Sequence, residues 1–260
     1  MNKVERLKKI IGRYSRIAVA YSGGVDSTFL LYFIKRVAER EVIAFTSISE
    51  TYTEDELRFA EEMAKSLYVK LVKIKTDEFS DKRFISNPIN RCFYCKLNLF
   101  SKINDLKDRY KFDVIFDGTN YSDRKDFRPG KMARDRYNVL SPLELAKITK
   151  DDIRRYSKKF NIAGYDRPPN ACLASRIPYG TPISKDRLDR IHKIERFIHS
   201  FGIRTLRVRD HNEVARIETS IKEFGKILLN RDKIVKKIKS YGFKFITLDI
   251  EGYRTGSMNK

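Results

Sequence analysis

Ser22-Gly23-Gly24-Val25-Asp26-Ser27 is the densest concentration of chemistry in this 260-residue chain. Paired glycines let backbone N–H groups approach a bound phosphate with no Cβ in the way. The apolar run at residues 17–21 reads as a buried strand and residues 28–40 as a helix, so the loop presents a phosphate to a helix N-terminus and its partial positive charge. Ser22 and Ser27 add hydroxyl donors, and Asp26 beside a phosphate requires a bridging Mg2+. The pattern GxxxxGK(S/T) is absent, which disfavours ordinary γ-phosphate transfer. A second short loop, Asp117-Gly118-Thr119-Asn120, follows a predicted strand at 113–116, at the end of the sheet where open α/β folds bind ligands. Alone it is a turn signal.

Three cysteines carry the remaining chemistry. Cys92 and Cys95 form a C-x-x-C pair in a short loop before a helix expected at 96–109, and Cys172 lies in a proline-rich stretch. The pair is open to four readings: an accident of sequence, half of a zinc site that His192, His199 or His211 would complete, a redox dithiol, or two of three thiolates on a [4Fe-4S] cluster with one iron open to sulfide. Cys172 by itself is as readily an inert small residue.

The elements that must position these groups follow from hydrophobic patterning. Further strands are expected at 42–48 and 69–74, with a helix at 54–67. Strand and helix alternating at this spacing imply right-handed crossovers and a parallel sheet, and unbroken apolar runs suit strands buried on both faces. Thr149 with Asp152 is an N-cap pattern opening a helix to about 160. Residues 166–184 hold four of the seven prolines and show no helical period. Beyond them a helix at 185–201, strands at 204–209, 215–218 and 243–250, and a helical region at 221–241 describe a smaller α+β domain. The division is therefore 1–168 for a Rossmann-like α/β domain, 169–184 for a linker carrying Cys172, and 185–260 for the α+β domain.

Composition excludes several classes. At 41% hydrophobic the chain can bury a core, and it contains no run of about 18 apolar residues to span a membrane. Its charged amino terminus is unlike a secretory signal, and three cysteines do not make a secreted disulfide scaffold, so a cytoplasmic protein is expected. A net charge of +21 attracts phosphate-bearing partners, nucleotides and RNA alike, and a lysine-rich solvated surface is the plain alternative.

The glycine loop resembles the PP-loop of the N-type ATP pyrophosphatases, which cleave ATP between the α and β phosphates, and Asp117-Gly118-Thr119-Asn120 resembles their second nucleotide-contacting loop. The segments Arg91-Cys-Phe-Tyr-Cys-Lys96, Arg128-Pro-Gly130, Ser141-Pro-Leu143, Ala171-Cys-Leu-Ala-Ser-Arg-Ile-Pro-Tyr-Gly180, Arg207-Val-Arg209, Ala215-Arg-Ile-Glu218, Leu248-Asp-Ile-Glu-Gly-Tyr253 and Gly256-Ser-Met look like the LarE family. Those enzymes are ATP-dependent sulfur transferases of nickel-pincer cofactor synthesis, and the resemblance spans essentially the whole chain.

The resemblance implies ATP and Mg2+ as cofactors. It implies nucleotide contacts from Ser22, Gly23, Gly24, Asp26, Ser27, Gly118 and Thr119, with Asp26 also holding Mg2+. The implied substrate is pyridinium-3,5-biscarboxylic acid mononucleotide, a carboxylate of which is adenylated and converted to a thiocarboxylate. Ser175, Arg176, Arg207 and Arg209 match the substrate-binding set, and Glu195 matches an acidic site residue that joins Asp26 and Cys172 in catalysis. Family members either sacrifice one cysteine sulfur, matching Cys172, or hold a [4Fe-4S] cluster on three cysteines, matching Cys92, Cys95 and Cys172; the presence of all three favours the cluster. Phe93 and Tyr94 are candidates to stack on the pyridinium ring. A sulfide donor and a homo-oligomer, a hexamer in the family, are implied as well. The competing readings are a PP-loop tRNA thiolase of the 2-thiocytidine type, which salt-sensitive RNA copurification would favour, and a non-enzymatic iron–sulfur or nucleotide sensor, which binding without pyrophosphate release would favour.

Overall fold

β1 (Arg16–Ala20), β2 (Glu41–Ile48), β3 (Lys70–Lys75) and β4 (Val114–Asp117) form one parallel sheet in the order β3-β2-β1-β4. This computed structural model describes residues 2–125, 129–167, 172–254 and 256–258; Arg128, Ala171 and residues 168–170 of the proline-rich stretch lie outside them. The chain divides into two units, Met1–Phe84 with Ile89–Asn170, and Ile85–Pro88 with Ala171–Lys260.

In the first unit successive strand residues point to opposite faces. Ile17, Val19, Val42, Ala44 and Phe116 enter one apolar cluster with Phe29 and Phe33, while Ala18, Ile43, Phe45 and Ile115 enter another with Phe100, Ile103 and Phe112. Burial on both faces is why β1 and β4 read as unbroken apolar runs. The edge strand β3 carries three lysines, which discourage pairing with another chain.

The helices mostly follow their sequence signals. Thr53 with Glu56 and Thr149 with Asp152 form reciprocal capping boxes for the helices Glu54–Ser66 and Lys150–Lys159. The helix expected at 28–40 starts at Val25 and passes at Phe33 into a π-helical turn, Phe33–Val37. One expectation needs correcting: Cys92 and Cys95 lie in the first two turns of the helix Arg91–Asp105, not in a loop before residue 96. No glycine or proline lies between Ile89 and Asp105 to delay its start.

The second unit is built on β5 (Leu206–His211), β6 (Val214–Thr219) and β7 (Phe245–Leu248), with β5 antiparallel and β7 parallel to β6. The helix Lys185–His199 contributes Ile194 and Ile198, and Arg231–Lys239 contributes Ile234 and Ile238, to a core shared with Leu206, Val208, Ala215 and Ile217. The four residues Ile85–Pro88 join this unit through Asn87, whose Nδ2 donates to the carbonyls of Pro178 at 2.7 Å and Thr181 at 2.9 Å. The N–H groups of Gly180 and Ile183 donate back to the carbonyls of Asn87 and Ile85, both at 2.9 Å. The described part of the proline-rich stretch therefore holds defined backbone contacts, with Leu173, Ala174, Ile177 and Ile183 buried. Among the described residues no helix is long and apolar enough to cross a membrane.

Candidate active site

Strand order reverses between β1 and β4, because β2 and β3 extend to one side of β1 and β4 lies on the other. The crevice beyond the carboxyl ends of such a pair is where open α/β sheets bind ligands. The glycine loop follows β1 and the Asp117–Asn120 loop ends β4, so topology alone brings them together. Gly118 shows how closely: a Cβ on it would stand 2.9 Å from the backbone N and Cα of Ser27.

Gly23 adopts φ +67°, and a Cβ there would also meet the Ala60 Cβ at 3.0 Å. Gly24 caps the helix Val25–Tyr32 with no side-chain bond, leaving the helix N-terminus to a ligand. The Ser22 and Ser27 hydroxyls lie 3.1 Å apart, and Ser27 Oγ donates to the Gly24 carbonyl at 3.1 Å. The Tyr52 phenol donates a short bond to the Ser22 carbonyl from the loop after β2. Burial, and then the nearby Glu56 carboxylate, push that phenol well above its ordinary value, so it remains a donor. Tyr21, bonded to Thr28 Oγ1 at 3.2 Å, is likewise pushed up to about 12 by burial.

Asp26, half-buried in the first turn of that helix, accepts at Oδ2 from Asn120 Nδ2 at 2.9 Å. Asn120 is itself fully buried, held by Ser122 N–H on its Oδ1 and by its own N–H donating to Asp123. Asp117 organises the second loop by accepting from Thr119 N–H at 3.1 Å, Thr119 Oγ1 at 2.8 Å and Ser141 Oγ at 2.6 Å, with the Lys96 ammonium 3.8 Å away. Sequence reasoning named the loop Asp117–Asn120 but gave nucleotide contacts only to Gly118 and Thr119, leaving Asp117 and Asn120 without a role, and it missed Tyr52. The Asp and Asn of that loop carried a signal, since both types bond their own backbone in turns; Tyr52 carried none.

The cysteines lie in both units, and all three are outside any disulfide. Cys92 and Cys95, three apart on one helix, share a face. Cys92 is exposed, while Cys95 is half-buried and donates through Sγ to Oε1 of buried Glu78 at 3.5 Å. Phe93 and Tyr94 meet edge to face at 5.3 Å, and Tyr94 also carries the Arg83 guanidinium 4.8 Å over its ring. Cys172, exposed, precedes the short 3-10 turn Leu173–Arg176 in the second unit. Among the described residues no three His, Cys, Asp or Glu side chains gather as a metal site.

Arg176, Glu195, Arg207 and Arg209 come together within the second unit, and all are buried. Arg176 forms a two-pronged pair with Glu195, Nε to Oε1 and Nη2 to Oε2, both at 3.0 Å, while Glu195 Oε1 also accepts from Val208 N–H at 2.8 Å. Burial alone would raise the Glu195 carboxyl, but the Arg176 charge and bonds, with Arg207 behind them, hold it below the ordinary carboxylate range. Arg209 donates to Glu218 at 2.6 Å, to Ser257 Oγ at 3.0 Å and to the Ser175 carbonyl at 3.0 Å. Burial would raise Glu218 too, and the Arg209 bond and charge again outweigh it. Arg207 donates to the Leu206 carbonyl at 2.7 Å and lies 5.4 Å from the Tyr253 ring centre. Burial, then repulsion from Arg176, depress its guanidinium below the ordinary value, and the Glu195 charge opposes both. Of these two arginines on β5, Arg209 is the one engaged by the Glu218 carboxylate.

A parallel sheet whose strand order reverses at a serine–glycine loop, with a buried second loop closing on it, defines a nucleotide-binding enzyme of the PP-loop class. Comparison with known proteins agrees: the asparagine synthase family model matches residues 15–90. The pyridinium-3,5-bisthiocarboxylic acid mononucleotide synthase of Lactiplantibacillus plantarum is 32% identical over 94% of this chain and 89% of its own length. Uncharacterised proteins of Methanocaldococcus jannaschii and Synechocystis are 35% identical over 92% of the chain and 91% of that protein, and 31% identical over 100% and 97%. The chain belongs to the LarE family, the ATP-dependent sulfur transferases of the PP-loop superfamily.

Proposed function

We propose that this enzyme takes pyridinium-3,5-biscarboxylic acid mononucleotide and converts its carboxylates to thiocarboxylates. The relationship to the Lactiplantibacillus synthase along 94% of the chain carries that reading, and the chemistry of the residues supports it. A carboxylate resists nucleophiles because it is anionic and lacks a leaving group. Adenylation supplies AMP as the leaving group and releases pyrophosphate. The N–H groups of Gly23 and Gly24 and the hydroxyls of Ser22 and Ser27 hold the β and γ phosphates, and Asp26, aligned by Asn120, holds the Mg2+ that offsets their charge. Thr119, with its hydroxyl proton committed to Asp117, presents its oxygen as an acceptor to the nucleotide.

We assign Arg207, buried beside the Arg176–Glu195 pair, as the anion anchor for substrate, a role the family resemblance supports. Arg176 and Arg209 fix the segment carrying Ser175 and Cys172, through bonds to Cys172 O at 3.3 Å and Ser175 O at 3.0 Å, and Glu195 locks Arg176 in place.

The donor set suits a soft iron–sulfur group: three thiols, two of them on one helix face. Cys92, Cys95 and Cys172 are the ligands we assign to a [4Fe-4S] cluster, which when bound supplies an iron able to carry hydrosulfide.

ATP incubated with the biscarboxylate mononucleotide is expected to yield AMP and pyrophosphate. Release of ADP and phosphate instead would overturn the assignment. Cys92→Ser should abolish both bound iron and multiple-turnover sulfur transfer; full transfer by an iron-free variant, with one sulfur lost at Cys172, would leave the sacrificial route standing.

A further inference from the structure

A cavity of about 500 Å³ opens at the end of the first unit's sheet opposite the glycine loop. The first residues of three strands line it: Arg16 of β1, Glu41 of β2 and Lys70 of β3. Arg16 and Glu41 are register partners and pair at 2.7 Å, so they cancel. Lys35 from the π-helical turn, Lys70 and Arg109 remain, and among the described residues none of these three is paired with a carboxylate. The cavity is therefore a site of net positive charge.

Two tyrosines are interleaved with these cations. Tyr110 has Lys70 Nζ at 4.8 Å and Arg109 Cζ at 5.6 Å from its ring centre. Tyr68 is 82% exposed, with Arg36 Cζ 5.9 Å from its ring centre. Its backbone is left-handed, at φ +55°. Tyr68 N–H donates to the Lys65 carbonyl and Val69 N–H to the Ala64 carbonyl, closing the C-terminus of the helix Glu54–Ser66 at the position where glycine is usual. A bulky residue is strained there. Burial does not account for the tyrosine, because its ring stands in solvent.

We propose that this cavity binds a nucleotide unit, the base stacked on Tyr68 and the phosphate held by Lys35, Lys70 and Arg109. Ammonium and guanidinium groups supply charge-assisted bonds to phosphate oxygens, and an exposed aromatic ring offers a sequence-tolerant stacking platform. The volume suits a single nucleotide, within the range of about 300–1,000 Å³ for small-molecule sites. Such a unit comes either as a free nucleotide or as one residue of a single-stranded RNA, towards which the chain's charge of +21 adds longer-range attraction. The site lies at the start of the strands and does not depend on the reaction assigned at their ends.

Two probes separate the sources: uridine monophosphate, and a labelled ten-residue oligouridylate followed by fluorescence anisotropy. The chain contains no tryptophan and 14 tyrosines, so the quenching by uridine monophosphate that is lost in Tyr68→Gly isolates stacking on that ring. Tyr68→Gly relieves the left-handed strain and should keep or raise the Tm while weakening binding roughly tenfold. Lys70→Gln should flatten the dependence of log affinity on log salt by about 0.7 for the oligomer. Substrate-dependent pyrophosphate release should not change in either variant. Much tighter binding of the oligomer assigns the site to RNA, and equal affinity for the two probes assigns it to a free nucleotide. Affinities for both probes that are undiminished in both variants, or no binding of either probe at low salt, would overturn the proposal.

Discussion

In the glycine loop the groups we assign to phosphate are neutral, the N–H groups of Gly23 and Gly24 and the hydroxyls of Ser22 and Ser27, whereas those we assign to substrate in the second unit are guanidinium groups buried to 6% exposure or less. The neutral loop costs little to fold without its ligand, because its hydroxyls bond each other and the Gly24 carbonyl. The arginine cluster cannot fold that way. Three cations buried together would each carry a desolvation penalty of several kcal/mol, so Glu195 and Glu218 are buried with them. One region holds a place for charge that arrives with ATP and Mg2+; the other must keep its own counter-charges from the start. The difference teaches that an arginine near an anion site can belong to the scaffold, as Arg176 with Glu195 and Arg209 with Glu218 do.

The sharpest way to break this contrast is Glu195→Ala. It strands Arg176 and the Val208 N–H, and should cost about 3–5 kcal/mol of stability by denaturant unfolding. Arg176→Met with Glu195→Leu should recover most of that loss while sulfur transfer stays low; a double variant no more stable than the single would mean the pair is not a buried ion pair. Acid probes the same contrast. Both carboxyls are held below their unfolded values, so their stabilisation is fully present above the ordinary carboxylate range and is lost as the pH falls through the lower folded values. A Tm measured from neutral pH into that range should fall more gently in Glu195→Gln, from a lower start.

Asp26→Asn should leave the Tm near wild type and slow pyrophosphate release by about 100–1,000-fold, with partial relief at high Mg2+. Arg207→Ala should weaken mononucleotide binding by about 1.5–3 kcal/mol in calorimetry, whereas Arg209→Ala should show up mainly as lost stability. Equal affinity losses with equal stability in the two variants would erase the distinction drawn between them. The smallest effect belongs to Tyr52→Phe, which removes one donor from the Ser22 carbonyl and should raise the KM for ATP by an amount worth about 0.5–1.5 kcal/mol, with kcat nearly unchanged.

Much of the first unit was legible because its signals are local. Apolar runs mark β1 and β4, Thr149 and Asp152 mark a helix start, and the loop 22–27 states its chemistry in consecutive residues. The pairings of the second unit are tertiary and left no local trace. Arg209 meets Glu218 only because the antiparallel register of β5 and β6 sets residue 207 opposite 218, so that 209 reaches it diagonally. The start of the helix carrying Cys92 was misjudged because a C-x-x-C pair suggests a loop, while nothing in Arg91–Lys96 resists helix formation.

Asn87 binds carbonyls that follow it by 91 and 94 residues, from a four-residue segment enclosed within the sequence of the first unit. During synthesis Asn87 leaves the ribosome long before the strands of its own unit exist, so the second unit closes only when the whole chain has been made. A fragment begun at residue 171 lacks this tie altogether and should be more open to proteases around residues 177–183 than the same stretch in the full chain.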